Sequence, residues 1–213
     1  MGSNIKLQEA LDFAINQNDN ASLWMSKIDN KDDIYLKVLI AYISVIIEHH
    51  KSITELIKLR QESALCLLRP LYEAYLRVHW LCLIEDSKKV DKAIEKLIHF
   101  NDNSSFPSLK IMCEQIDIVF AKQNEVEESQ VFLNQFENNK KLMHSYSHSG
   151  GYLIPKLINE TDTFICKDMI SVLNSSTQYL LSSISVLSAR KHNIDLFMKV
   201  NKEIEEQTKI FEG

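Results

Sequence analysis

Arg69, Glu73 and Arg77 stand within a run that otherwise belongs in a protein interior, ESALCLLRPLYEAYLRVHWLCLIE. Their i, i+4, i+8 spacing puts them, with Glu62 and Trp80, within about 80° of one helical face. A helix this apolar on its other sides is packed on most of its circumference. The charged stripe is therefore expected inside the molecule or along a cleft, where an unpaired charge is costly. Two guanidinium groups on one carboxylate leave a local positive charge. Chemically that is a site for an anion such as phosphate, which the planar donor fork of arginine grips well. Read structurally, the same stripe is an intrahelical ion-pair ladder that pins neighbouring helices. Pro70 removes one backbone donor from this helix and is expected to bend it.

A second set of reactive side chains lies in NNKKLMHSYSHSGG, residues 138–151. Lys141, His144 and His148 share a helical face, and Gly150 and Gly151 place His148 in the last turn. The dipole at a helix C-terminus favours the protonated imidazole, so a histidine there can titrate near neutrality and act as acid or base. Alternatively it only caps carbonyl groups. As a metal site the HxxxH pair lacks further ligands, and neither HExxH nor a cysteine cluster supplies them, so no metal and no cofactor is expected. The adjacent His49 and His50 are placed at the solvated end of their helix, and His79 and His99 have no partner visible in sequence. GxxxxGK[ST], GxGxxG and GxSxG are all absent, which leaves no case for an NTPase, a Rossmann enzyme or a serine hydrolase.

The elements that must position these residues are helices. The chain of 213 residues holds 4 Gly and 3 Pro, where average usage would give roughly fifteen and ten, and tight reversals depend on such residues. Amphipathic periodicity predicts a helix over 5–17, ended by Asn18-Asp19-Asn20, whose side chains compete for backbone hydrogen bonds. Asp32 or Asp33 caps a second helix, 34–59, apolar nearly all round in its first half. Further helices follow over 61–84, 87–99, 108–122, 128–147, 165–190 and 193–210, with a polar loop at 101–107. In the last helix Phe197, Val200, Ile204 and Phe211 fall near one stripe, a core face or a dimer contact. The expectation is an all-α, single-domain bundle of about six to eight helices over residues 1–213.

The formal net charge of −5 argues against non-specific duplex binding, which needs a basic surface. Cys66, Cys82, Cys113 and Cys166 form no CxxC pair and read as small core residues in a reducing compartment. The start of the chain shows no basic-then-apolar signal pattern, and the longest strongly apolar stretch, 38–47, is too short to span a bilayer. A cytoplasmic protein without membrane association is the expectation.

The helix SALCLLRPLYEAYLRVHWL, followed some seventy residues later by MHSYSHSGG, resembles an uncharacterised family of bacterial all-helical proteins. Its members carry a similar R-P-L-[FY]-E-A-Y-x-R-x-x-W-L helix and a later [SD]-[YF]-[ST]-H-x-G segment. The matching positions are Arg69, Glu73, Arg77, Trp80, Tyr146, His148 and Gly150. More distantly the layout looks like the HEPN class of small α-bundles, many of them RNases or toxins of defence and toxin–antitoxin systems, others inactive helical partners. That likeness implies a homodimer and a metal-independent endoribonuclease of an antiviral defence or toxin–antitoxin system. In such an enzyme His148 would be the acid–base, Arg69 and Arg77 would hold phosphate, and Glu73 would orient one of them. His144, Lys141, Tyr146, Trp80 and Gly150 would give support. The sequence departs from the HEPN motif, because no arginine precedes either histidine at the motif spacing, and Lys141 is the nearest substitute. The alternative expectation is a non-catalytic binding or interaction module whose polar pocket holds a small anion or nucleotide. The expected partners are RNA or a small anionic ligand, a second copy, and a protein from the same operon.

Overall fold

A computed structural model describes residues 2–28, 33–59, 61–84, 86–99, 106–147 and 162–212, with side chains undescribed at 2–4, 61–62, 141–147, 162–165 and 212. The described residues form eight helices and no strand: α1 (Gly2–Met25), α2 (Ile34–Leu59), α3 (Gln61–Leu83), α4 (Ser87–Ile98), α5 (Leu109–Gln123), α6 (Val131–Ser147), α7 (Asp162–Arg190) and α8 (Ile194–Glu212). Local chemistry sets many of the boundaries. Asp33 Oδ1 accepts the Leu36 amide at 3.0 Å, Ser108 Oγ accepts that of Ile111 at 3.4 Å, and Asn193 Oδ1 accepts that of Leu196 at 3.1 Å. Each satisfies an amide left open in a first helical turn. α3 continues through Pro70 as one helix.

One hydrophobic cluster takes residues from all eight helices. α3 is central: it packs on α2, α5, α6 and α7, while α1 packs against α7 and α2, and α8 covers α7 and part of α1. Leu71, Leu76, Val78 and Trp80 of α3 are almost fully buried. Fully burying an aliphatic or aromatic side chain of this kind contributes about 1.5–3 kcal/mol. Val200, Ile204 and Phe211 of α8 join the core, with Phe211 edge-on to Phe13 at 6.4 Å. Among the described residues no helix is long and apolar enough to cross a membrane.

Two local expectations are corrected. α1 does not stop at Asn18-Asp19-Asn20 but runs on to Met25. The reason is tertiary: Asn18 is buried, its Oδ1 is 2.7 Å from His50 Nδ1, and its Nδ2 donates to Thr54 Oγ1 at 3.4 Å. A side chain engaged in this way no longer competes for its own backbone. His50 is correspondingly not at a solvated end. It is fully buried, and its Nε2 lies 2.9 Å from Thr177 Oγ1 of α7, so one imidazole ties α1, α2 and α7 together. Since Asn18 Oδ1 can only accept, the neutral ring carries its proton on Nδ1 and Nε2 accepts from the Thr177 hydroxyl.

α6 is placed from a distance in sequence. Asp117 of α5 is buried, and its Oδ1 accepts the Phe132 amide at 3.0 Å and the Ser129 hydroxyl at 3.2 Å, while its Oδ2 accepts the Leu133 amide at 2.8 Å. The carboxylate therefore caps the start of α6 and sits at the positive end of its dipole. Phe132 then stacks on Tyr75 and lies 5.6 Å from His79, and Asn139 further along α6 donates to the Tyr179 hydroxyl, whose ring packs on Tyr72 and Tyr75. α6 thus runs antiparallel to α3, from the level of His79 towards the end that carries Arg69.

Candidate functional site

The charged stripe of α3 faces neither the core nor open solvent. Arg69 Nε donates to Glu73 Oε1 at 3.1 Å, and an Arg77 terminal nitrogen lies 3.7 Å from Glu73 Oε2. The side chains of Arg69, Glu73 and Arg77 are 40%, 25% and 31% exposed. Of the two settings expected for the stripe, the interior and a cleft, these exposures exclude full burial. α3 buries its other sides against α5, α6 and α7 and leaves this face half-exposed. Glu73 bridges both guanidiniums, so the triad carries one uncompensated positive charge.

Residues from outside α3 complete the face. The Arg77 Cζ lies 5.9 Å from the ring centre of Tyr42 on α2 and 5.7 Å from that of Phe106, just before α5. The two rings are 5.9 Å apart and nearly perpendicular, so the guanidinium and the rings form an almost equilateral triangle. Phe106 is also edge-on to Trp80 at 5.7 Å, and Trp80 Nε1 donates to Gln115 Oε1 of α5 at 2.6 Å. The indole is thereby fixed, and it fixes Phe106. Cation–π attraction to partly desolvated rings holds Arg77 in place by about 0.5–2 kcal/mol. Arg77 Nε is buried and has no hydrogen-bond partner among the described residues. An uncommitted buried donor of this kind costs about 1–3 kcal/mol. Burial raises the Tyr42 phenol above its ordinary pKa, and the Arg77 charge partly opposes the rise.

Of the residues singled out in the sequence, Arg69, Glu73, Arg77 and Trp80 come together here. Lys141, His144 and Tyr146 lie on α6 with undescribed side chains, and His148 and Gly150 lie outside the described residues. Tyr42, Phe106 and Gln115 are members that the sequence does not announce. A tyrosine in an apolar helix and a phenylalanine beside Pro107 carry no local signature of a site.

The remaining buried titratable groups do not belong to this face. His79 Nδ1–H donates to the Tyr75 carbonyl at 3.0 Å and the ring packs on Tyr75, and burial pulls its pKa down to about 4. Cys113, beside Tyr72, is pushed up to about 12 by burial, a thiol with no thiolate character at neutral pH. Cys82 and Cys166 are buried as expected, but Cys66 is exposed. Among the described residues no group of three or more His, Cys, Asp or Glu side chains could hold a metal ion.

Fold and face together define an all-helical protein with an arginine–aromatic cluster on its central helix. The chain belongs to a family of unknown function, DUF6988, which it matches over residues 43–210. That span contains Arg69, Glu73, Arg77, Trp80, Phe106 and Gln115, while α1 and Tyr42 precede it. No curated protein and no solved structure matches the chain.

Proposed function

We propose that the arginine face of α3 is a binding site for a phosphate-bearing ligand of the nucleotide class, and that the protein acts as a helical binding module. The observation that carries this reading is Arg77, cornered by Tyr42 and Phe106 with an uncommitted buried Nε–H. The long 3.7 Å contact to Glu73 leaves most of its fork available. A phosphate seated between Arg69 and Arg77 gains charge-assisted hydrogen bonds from both and neutralises the surplus charge of the triad. Glu73 then holds the two guanidiniums at a fixed separation, as a positioning residue. The half-buried Tyr42 ring offers a stacking surface for a base. The test is a titration of the full chain with nucleoside 5′-phosphates and short single-stranded RNA, followed by Trp80 fluorescence in a Trp24→Phe background. Saturable quenching that disappears in Arg77→Ala supports the reading. Quenching that survives Arg77→Ala sinks it.

A second reading, a metal-independent endoribonuclease of HEPN type in a defence or toxin–antitoxin system, is favoured by the direction of α6. Its antiparallel run leads the chain towards the end of α3 that carries Arg69. In this reading His148 takes the proton of an RNA 2′-hydroxyl, whose oxygen attacks the adjacent phosphorus and expels the 5′-oxygen, while Arg69 and Arg77 hold the phosphate. Active HEPN enzymes act as dimers, so light scattering would give twice the chain mass of 24.7 kDa. His148→Ala should abolish RNA cleavage with the fold intact, and EDTA should leave cleavage unchanged. Binding without cleavage returns the protein to the first reading.

A further inference from the structure

A groove lies against α5, and none of its lining residues belongs to the arginine face. α5 ends at Asn124, whose amide closes on the Phe120 carbonyl, and the chain turns through Glu125 at φ 54°, with the Val126 amide returning to the Ala121 carbonyl at 3.1 Å. The segment to Gln130 then doubles back to enter α6. Between α5 and this segment is a groove of about 430 Å³. Its walls do not depend on an occupant, because Asp117 beneath it grips Ser129 and the first amides of α6.

The groove is apolar where it is open. Ile118 is 69% exposed and Val126 48%, and both line it together with Ala121 and Leu133. Val131, next in the chain after the lining Gln130, is 56% exposed, and Ile111, 45% exposed, continues the Ile118 line two turns earlier along α5. Exposed large apolar side chains gathered at one corner of a fold mark a surface that is covered in use. The rim is acidic: Glu127 and Glu128 flank the apolar strip with Glu114, which pairs with Lys110 at 3.9 Å, against Lys122. Two copies of this corner brought face to face would set these carboxylates against one another, and the chain as a whole carries a net charge of −5. Charge therefore selects against self-pairing and for a cation.

We propose that the α5–α6 groove docks a basic amphipathic segment of a partner protein. An apolar side chain of the partner enters between Ile118, Val126 and Leu133, and flanking lysines or arginines meet Glu127 and Glu128. This is helix-in-groove recognition with an electrostatic rim that sets orientation and on-rate. It does not rest on the ligand assigned to the arginine face.

The probes are two amphipathic peptides of about 14 residues, identical in a leucine face and bearing lysine or glutamate on the other. Each is titrated into the full chain with labelled Ile, Leu and Val methyl groups. The lysine peptide should shift the methyls of Ile118, Val126 and Leu133 saturably, and the glutamate peptide should not. Ile118→Ser with Val126→Ser should weaken the lysine peptide at least about tenfold, since both side chains are exposed and leave the core untouched. Glu127→Gln with Glu128→Gln, which alters no packing, should weaken it and flatten its salt dependence. Equal binding of both peptides, or shifts confined to other methyls, would overturn the proposal. So would self-association of the parent chain that is lost in Ile118→Ser, because the occupant would then be a second copy.

Discussion

Acidification from pH 6.5 to 4.5 should cost the fold about 2 kcal/mol through His50 alone. Burial without a counter-charge pulls the pKa of this imidazole down to about 3, against 6.5 for an ordinary histidine. Above pH 6.5 the ring is neutral in both folded and unfolded chains, and the Asn18–His50–Thr177 bridge contributes in full. Below that value the unfolded chain takes up a proton that the folded chain refuses until about pH 3. Stability is therefore lost as pH falls through this window. His79, drawn down to about 4, adds loss in the same direction. The assay is urea denaturation at constant ionic strength, comparing the parent with His50→Gln. The glutamine keeps a polar group near Thr177 but cannot be protonated. At pH 7 the variant should be less stable by about 1–3 kcal/mol, because Asn18 loses its buried partner. At pH 4.5 this gap should shrink by about 2 kcal/mol. A gap that stays constant across the range would show that His50 does not titrate as a buried neutral ring.

Asp117→Ala should destabilise the protein by about 2–4 kcal/mol, the sum of a lost helix cap and buried amides left without an acceptor. In a thermal scan this corresponds to a fall in Tm of roughly 4–16 °C for a chain of this size. Arg69→Ala should cost less than about 1 kcal/mol, because its ion pair with Glu73 is an i, i+4 pair with 40% of the arginine side chain exposed. A loss of several kcal/mol in denaturant titration would mean that the α3 stripe is closed over.

Much of the helical layout is legible in the sequence because its causes are local. Few glycines and prolines leave few places to turn, and Asp33, Ser108 and Asn193 mark helix starts by side chains that reach only three residues ahead. The continuation of α1 through Asn18 is not legible, since the group that satisfies this asparagine lies 32 residues away on α2. His50 escapes for the same reason, as does Asp117, whose capping role depends on α6 folding back over α5. In the arginine face, the helical period brings Arg69, Glu73, Arg77 and Trp80 to one side of α3 from sequence alone. Their half-open setting, and the rings of Tyr42 and Phe106 around Arg77, depend on how α2 and α5 pack, which periodicity within one helix does not encode.

On the proposed function, Arg69 and Arg77 bind a phosphate-bearing ligand on the face of α3. The chain contains four arginines, Arg60, Arg69, Arg77 and Arg190, so the side-chain Nε–Hε region of a nitrogen-15 spectrum resolves into few signals. Titration with adenosine 5′-diphosphate should move the Arg69 and Arg77 signals together and saturably, with the buried Arg77 Nε–H shifting as it gains an acceptor. The Arg60 and Arg190 signals should stay in place. Saturable binding that leaves Arg69 and Arg77 unmoved, or the absence of any shift at millimolar nucleotide and millimolar phosphate, would contradict it.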